Sequence, residues 1–401
     1  MGVSFNIFDK FKFNPANYRV LIVEDSKSLN EVIYNKFLEF GYQCYRADTL
    51  TEAQSILENN SIDFLLLDIN LPDGNGYDII NKYSLSKLKI FVLTSQDDEQ
   101  MREISFQKGV IDYIVKDRNF FLKLDGVSAN IEKIIKNMKS NILVVDDSIV
   151  IREQLSEILK NRNYNVLTLD NVDDILDTLE KNKVDLMLLD VNIHDKNGID
   201  FLNSNRSKII DELDIPVIIV SGSNDTHIVR EGLRAGAKDI IRKPYIIEEI
   251  VLKVDVNIDY KRKQDELNYF QFTLEQYKHT IEKNLILYTV DKYGFIKSCN
   301  QNFTNLTGYT KDEIIKKNHE IFKSENEKFY VTTWNQITSS KKSWKGLIIN
   351  AKKDGKPYFA ETVVNPIKNK QGEIIEYIFL LKDVSKEKLL ENYVKKLTSQ
   401  K

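Results

Sequence analysis

Through the first two thirds of the chain, short unbroken apolar runs alternate with stretches whose apolar residues fall three and four apart. Val20 to Val23, Phe64 to Leu67, Ile90 to Leu93 and Tyr113 to Val115 are runs of the first kind, each bounded by polar residues. They read as strands buried on both faces of a parallel sheet. Leu29, Val32, Ile33 and Phe37 have the spacing of a helix with one apolar face. Five such units in about 120 residues predict a doubly wound α/β sheet, whose ligands bind beyond the carboxyl ends of the strands.

The pattern then repeats. YRVLIVEDSKSLNEVI is echoed by SNILVVDDSIVIREQL, and IDFLLLDINLPDGNG by VDLMLLDVNIHDKNG. Asp25 to Asp68 spans 43 positions, and so does Asp147 to Asp190; Thr94 to Lys116 and Ser221 to Lys243 each span 22. The middle intervals differ, 26 against 31, because the second copy carries extra residues around DELDIP. Insertions belong in loops, so this is what a duplicated domain shows.

After Pro244 the pattern stays helical. Tyr260, Leu267, Leu274 and Ile281 recur every seven residues, Phe270 and Tyr277 fall between them, and Lys263 interrupts. Three heptads suit a short parallel dimer helix; one amphipathic helix packed on its own domains is the other reading. His279 on this helix has no phospho-histidine context and reads as a solvated residue. From Leu285 the periodicity changes again. TVDKYGFIKSCN predicts two strands about a turn, ENEKFYVTTWNQITS a helix with Phe329, Trp334 and Ile337 inward, and KKDGKPY and KNKQGEI hairpin turns.

Composition narrows the class. At 401 residues, 42% hydrophobic and 29% charged, the chain suits two or three soluble domains, and a net charge of −3 offers no nucleic-acid or anionic-membrane surface. Cys44 and Cys299 fit no metal or redox spacing. The apolar runs are too short to span a bilayer. MGVSFNIFDKFKF has no apolar signal core and carries Asn6 where N-myristoylation wants Ser or Thr. A cytoplasmic location is expected.

Chemistry gathers at the predicted strand ends. Glu24 and Asp25 end the first strand, Asp68 the third, Thr94 the fourth and Lys116 the fifth. Carboxylates converging on one sheet edge repel one another, and a hard divalent cation such as Mg²⁺ holds them ionised. A carboxylate beside it can attack a phosphoryl group to form an acyl phosphate, which a lysine and a hydroxyl then stabilise.

At these residues the chain resembles the receiver domain of two-component response regulators, a flavodoxin-like fold. The resemblance implies that Asp68 and Asp190 are phosphoacceptors, and that Glu24, Asp25, Asp146 and Asp147 hold the metal with them. It makes Thr94 and Ser221 switch hydroxyls and Lys116 and Lys243 phosphate-pairing lysines. Acidic pairs after strands are often ordinary loop residues; two complete sets at matched intervals outweigh that reading. Both copies depart from the family. The first has Lys116-Asp117 where the family has Lys-Pro, but keeps Tyr113 at the switch-aromatic position. The second keeps Lys243-Pro244 but has Ile240 there, and His194 where the first has Pro72.

Residues 285–385 resemble a PAS sensory domain, α+β in class, through NQNFTNLTGYTKDEI, SWKGLIINAKKDGKPYF and LLKDVS. The likeness is to the aerotaxis type, given NHEIFKS around His319 and Trp344 before Gly346. Lys323, Ser324 and Asn326 replace that type's flavin contacts, so no flavin is expected. Haem through His319 is the weaker reading beside a hydrogen-bonded helix-end histidine, and Trp334 and Trp344 read as core. The resulting plan is receiver 18–138, receiver 140–255, helical linker 256–284, PAS 285–385 and the start of a helix at 386–401. The expected partners are a histidine kinase or phosphotransfer protein, a downstream signalling protein and a second copy of the chain, with no nucleic acid and no membrane. No kinase, P-loop or helix-turn-helix motif is evident, so no dedicated enzyme activity is expected. The alternative is the regulatory portion of a diguanylate cyclase or histidine kinase.

Overall fold

The computed structural model describes residues 13–83, 87–222, 226–323 and 327–398. The start of the chain, read above as carrying no signal peptide, lies outside them, as do Ser324 and Asn326. The chain divides into one unit of residues 1–265 and another of residues 266–401.

In the first unit, β1 (Arg19–Val23), β2 (Gln43–Ala47), β3 (Phe64–Asp68), β4 (Lys89–Thr94) and β5 (Asp112–Val115) alternate with α1 (Lys27–Glu39), α2 (Leu50–Asn59), α3 (Tyr77–Tyr83), α4 (Glu99–Gln107) and α5 (Phe120–Asn137). The five strands are all parallel, in the order β2-β1-β3-β4-β5. Val20 and Ile22 face one core and Leu21 and Val23 the other, so helices cover both faces.

The second copy repeats the plan with β6 (Asn141–Val145), α6 (Ile149–Asn161), β7 (Asn165–Leu169), α7 (Ile175–Lys181), β8 (Leu186–Asp190), α8 (Gly198–Ser204), β9 (Val217–Ser221), α9 (Thr226–Ala235) and β10 (Asp239–Arg242). Its order, β7-β6-β8-β9-β10, matches the first sheet. Its fifth helix, α10 (Ile247–Asn284), does not stop at the domain edge and runs unbroken for 38 residues. Ile250, Val254 and Ile258, four apart, bury its first turns in the core of the second sheet. Beyond them the heptad residues Tyr260, Leu267, Leu274, Tyr277 and Ile281 are exposed in the single chain. His279 is exposed as well.

The second unit holds the antiparallel sheet β12-β11-β15-β14-β13, from β11 (Ile286–Asp291), β12 (Ile296–Cys299), β13 (Trp344–Ala351), β14 (Pro357–Lys368) and β15 (Ile374–Asp383). Helices α11 (Gln301–Thr307), α12 (Lys311–Ile314) and α13 (Glu327–Ser340) lie between β12 and β13, and α14 (Ser385–Thr398) follows β15. The amides of Asn300 and Asn302 donate to the Glu282, Lys283 and Leu285 carbonyls, satisfying acceptors that the end of α10 leaves open. Inside the first unit, the two glycines that follow the central strands are dictated by close approach. A Cβ on Gly76 would stand 2.6 Å from the Asp68 carbonyl oxygen, and one on Gly198 2.1 Å from that of Asp190.

Gly76→Ala and Gly198→Ala should therefore each destabilise their half by about 1–3 kcal/mol, the range of an overpacked core. The tighter site, Gly198, should suffer more. Urea unfolding followed by circular dichroism tests this, and an unshifted midpoint in Gly198→Ala would refute the close-approach argument.

Candidate phosphoacceptor sites

The parallel register brings the candidate residues of the first copy to one edge. Leu93 pairs with Asp68 in the ladder, and the Lys116 amide donates to the Thr94 carbonyl at 2.7 Å, so Thr94 and Lys116 sit on either side of the last strand pairing. Glu24, Asp25 and Asp68 each offer a carboxylate oxygen, all within 4.8 Å of one another. The Lys116 ammonium lies 2.5 Å from Asp68 Oδ2 and 2.5 Å from Glu24 Oε2, while Asp68 Oδ1 accepts from the Asn70 amide at 3.1 Å. Glu24 is 2% exposed, and burial pushes its carboxyl above the ordinary value; Lys116 opposes that shift and Asp68 adds to it.

The second copy rebuilds the arrangement. Asp146, Asp147 and Asp190 likewise bring oxygens within 4.8 Å. Lys243 reaches Asp146 and Asp190 at 2.7 Å each, and its amide donates to the Ser221 carbonyl at 2.7 Å. Burial raises the Asp190 carboxyl. Burial alone would lower the Lys243 ammonium, but the two carboxylates outweigh it and hold its pKa above the ordinary value. The oxygens of both trios suit one hard cation. Octahedral ligands about 2.1 Å from such an ion lie about 3.0 Å apart when adjacent, so the oxygens would draw together on binding it.

The copies diverge around this shared centre. Tyr113 is buried, and the Thr94 hydroxyl bonds Gln96, accepting from its amide and donating to its carbonyl at 3.2 Å each. Ile240, at the position matching Tyr113, has neither an aromatic ring nor a hydroxyl. The Lys243–Pro244 bond is cis, and Lys116–Asp117 is not among the cis bonds of the described residues. His194 adopts φ +55°, exposes its ring and donates its amide to Asp147 at 3.0 Å, with its imidazole Nδ1 3.8 Å from the same carboxylate. Two residues had no signal in the sequence. Asn30 donates to the Glu24 carbonyl at 3.0 Å, and at the matching position Arg152 donates to the carbonyls of Asp146 and Asp147 at 2.6 and 3.0 Å. Each pins the loop that carries the acidic pair.

In the second unit His319 opens a short 3-10 turn, 3% exposed, among Trp334, Phe379 and Tyr288 at ring separations of 4.5, 5.5 and 6.5 Å. Its amide donates to the Gly294 carbonyl at 2.9 Å. Ile337 is buried in the same core and Trp334 and Trp344 pack against it; the Phe329 side chain lies outside what is described. The Trp344 ring lies over Gly346, where a Cβ would meet it at 2.5 Å.

An aspartate ending the central strand, flanked by an acidic pair, a hydroxyl and a lysine and built twice on doubly wound sheets, is the arrangement of a two-component receiver pair. Sequence comparison agrees: the response regulator receiver domain matches residues 20–120 and 142–255, and a PAS domain matches residues 283–386. The chain belongs to the response regulator receiver family and carries a PAS domain after its two receivers. It is 26% identical to the nisin biosynthesis regulatory protein NisR of Lactococcus lactis over 59% of this chain and 97% of that protein. It is 30% identical to the transcriptional regulatory protein KdpE of Staphylococcus aureus over 33% of this chain and 55% of that one. The crystal structure of a putative two-component system response regulator/GGDEF domain protein superposes on 61% of this chain and 99% of its own, at 25% identity and a TM-score of 0.52. Among the described residues no helix is long and apolar enough to cross a membrane.

Burial drives the His319 imidazole down to about 3 from 6.5. The folded unit thus refuses a proton that the unfolded chain takes up below pH 6.5. Stability present at neutral pH is lost as pH falls from 6.5 toward 3, by at most about 1.4 kcal/mol per pH unit. Both tryptophans of the chain, Trp334 and Trp344, lie in this unit, so their fluorescence follows its unfolding within the full protein. His319→Phe should flatten the stability profile between pH 6.5 and 4, and profiles of equal slope would place the proton uptake elsewhere.

Proposed function

We propose that the chain is a non-enzymatic aspartyl-phosphate switch of the cytoplasm. A partner histidine kinase or phosphotransfer protein phosphorylates Asp68, Asp190 or both, and a downstream signalling protein reads the result. The observation that carries this reading is the lysine bridging each acceptor aspartate to its acidic neighbour, at 2.5 Å in one copy and 2.7 Å in the other. A carboxylate oxygen of Asp68 bonds to phosphorus while the donor's N–P bond breaks and its imidazole leaves, protonated by solvent. Lys116 then pairs with the new phosphoryl oxygens and Thr94 turns its hydroxyl toward them. Glu24, Asp25 and Asp68, or Asp146, Asp147 and Asp190, would hold Mg²⁺, which supplies charge neutralisation for the transferring group. The proposal includes no flavin and no haem. It extends neither to DNA nor to membranes; transcriptional regulation is what the names of KdpE and similar proteins say of them.

A second reading makes the chain the regulatory portion of a signalling enzyme, a diguanylate cyclase or histidine kinase. The superposition on a response regulator/GGDEF domain protein favours it. An uninterrupted catalytic domain encoded downstream would decide for it.

Acetyl phosphate with Mg²⁺ should place acyl phosphate on the chain, and chelation by EDTA should abolish it. Asp68→Asn and Asp190→Asn should each remove one phosphate, and the double variant should accept none. Intact-mass spectrometry reads the outcome, and label persisting on the double variant would sink the assignment.

The proposal also makes the exposed stripe on α10 a parallel dimer seam. Each leucine buried there is worth roughly 2–3 kcal/mol, and Asp at both positions sets like charges against their own copies. Leu267→Asp with Leu274→Asp should sediment as a monomer that still accepts phosphate. An unchanged dimer would move the interface to another surface.

A further inference from the structure

The first receiver's switch residue does not end at open surface. Tyr113, on the strand paired with the one that Thr94 ends, carries the Arg102 guanidinium over its ring at 5.7 Å, and Arg102 Nη2 lies 3.4 Å from the Tyr113 carbonyl. Arg102 Nε lies 3.7 Å from Glu248 Oε1 on the first turn of α10, in the second receiver. That distance is an ion pair stopped short of a hydrogen bond, and this buried Nε makes no other hydrogen bond. Burial raises the Glu248 carboxyl, Asp112, Asp97 and Glu103 raise it further, and Arg102 pulls it down. A surface cleft of about 410 Å³ is lined by Asp97, Arg102, Tyr113 and Lys123 among others.

Glu248 stands five residues after Lys243, which spans Asp146 and Asp190. The remainder of the interface is fixed. Arg162 donates to the Ile111 carbonyl at 2.7 Å and to Asp255 at 3.0 Å, and Lys133 pairs with Asp259 at 2.9 Å. A joint held by these pairs, with the Arg102–Glu248 contact left long at its rim, is what a transmitting element needs, because displacement then has somewhere to go.

We infer that the state of Asp68 is passed within the chain to the second receiver through Thr94, Tyr113 and the Arg102–Glu248 pair, which repositions the Lys243 loop and so sets the reactivity of Asp190. The inference rests on the proposed aspartyl phosphorylation and deepens it. It makes the second receiver the first reader of the first.

The test uses the full chain with acetyl phosphate and Mg²⁺, resolving the two sites by peptide mass spectrometry. Asp190 should be labelled at rates differing at least about fivefold between chains already phosphorylated on Asp68 and the Asp68→Asn variant, the low end of allosteric couplings. Thr94→Ala, Arg102→Gln and Glu248→Gln should each bring the rate on Asp68-phosphorylated chains to the Asp68→Asn value. The Arg102→Gln, Glu248→Gln double variant should be no worse than either single. Lys133→Gln, in the fixed part of the joint, should keep the difference. Equal rates in the unmodified chain overturn the inference, as does a difference that survives Arg102→Gln or vanishes equally in Lys133→Gln. No acyl phosphate on Asp190 in any variant overturns this inference but leaves the functional reading standing if Asp68 is labelled; no acyl phosphate on either aspartate brings down both.

Discussion

Each receiver rests on one electrostatic constraint: three carboxylates crowd one sheet edge, and a single lysine reaches two of them. Buried charges of one sign separate unless a counter-charge sits among them. The ammonium has to stand at the end of the fifth strand, the acceptor at the end of the third, and the acidic pair at the end of the first. Parallel pairing delivers all three to the same edge. The loops obey the same demand. Asn30 and Arg152 hold the acidic turns by their carbonyls, and Gly76 and Gly198 let the chain return against the acceptor's own backbone.

Around this common centre the copies have specialised. The first keeps an aromatic, Tyr113, with Arg102 over its ring; the second has Ile240 at that position. The second instead contributes the partners that close the joint: Arg162, Tyr164 and Asp255, the last 4% exposed and bonded by both of the others. Asp255 lies on the same helix as the apolar stripe. One helix thus serves as core element of a receiver, as partner of its neighbour and as exposed ridge.

The sequence disclosed what is periodic or repeated. Doubly buried strands, the acceptor set and the heptads on α10 all leave marks at fixed intervals, and matched spacing made the duplication plain. The edge strand β2 was less legible, because Gln43 and Arg46 are exposed and its burial does not alternate. The joint between receivers was invisible. Arg162 meets Ile111 across 51 positions and Asp255 across 93, and contacts so far apart along the chain obey no local period. Arg102 carries no mark of its own in the sequence; only the fold sets it between Tyr113 and Glu248.

The buried Arg162–Asp255 cluster also decides what may be inherited separately. The short junction after Asn137 looks like a natural seam for shuffling one receiver between genes. Severing it would leave the Ile111 carbonyl without its guanidinium, and would strip Lys133 from Asp255 and Asp259. A lone receiver passed to another gene would carry exposed, mismatched polar groups on the face that its twin now covers. Moved as one piece, the tandem keeps these pairings together.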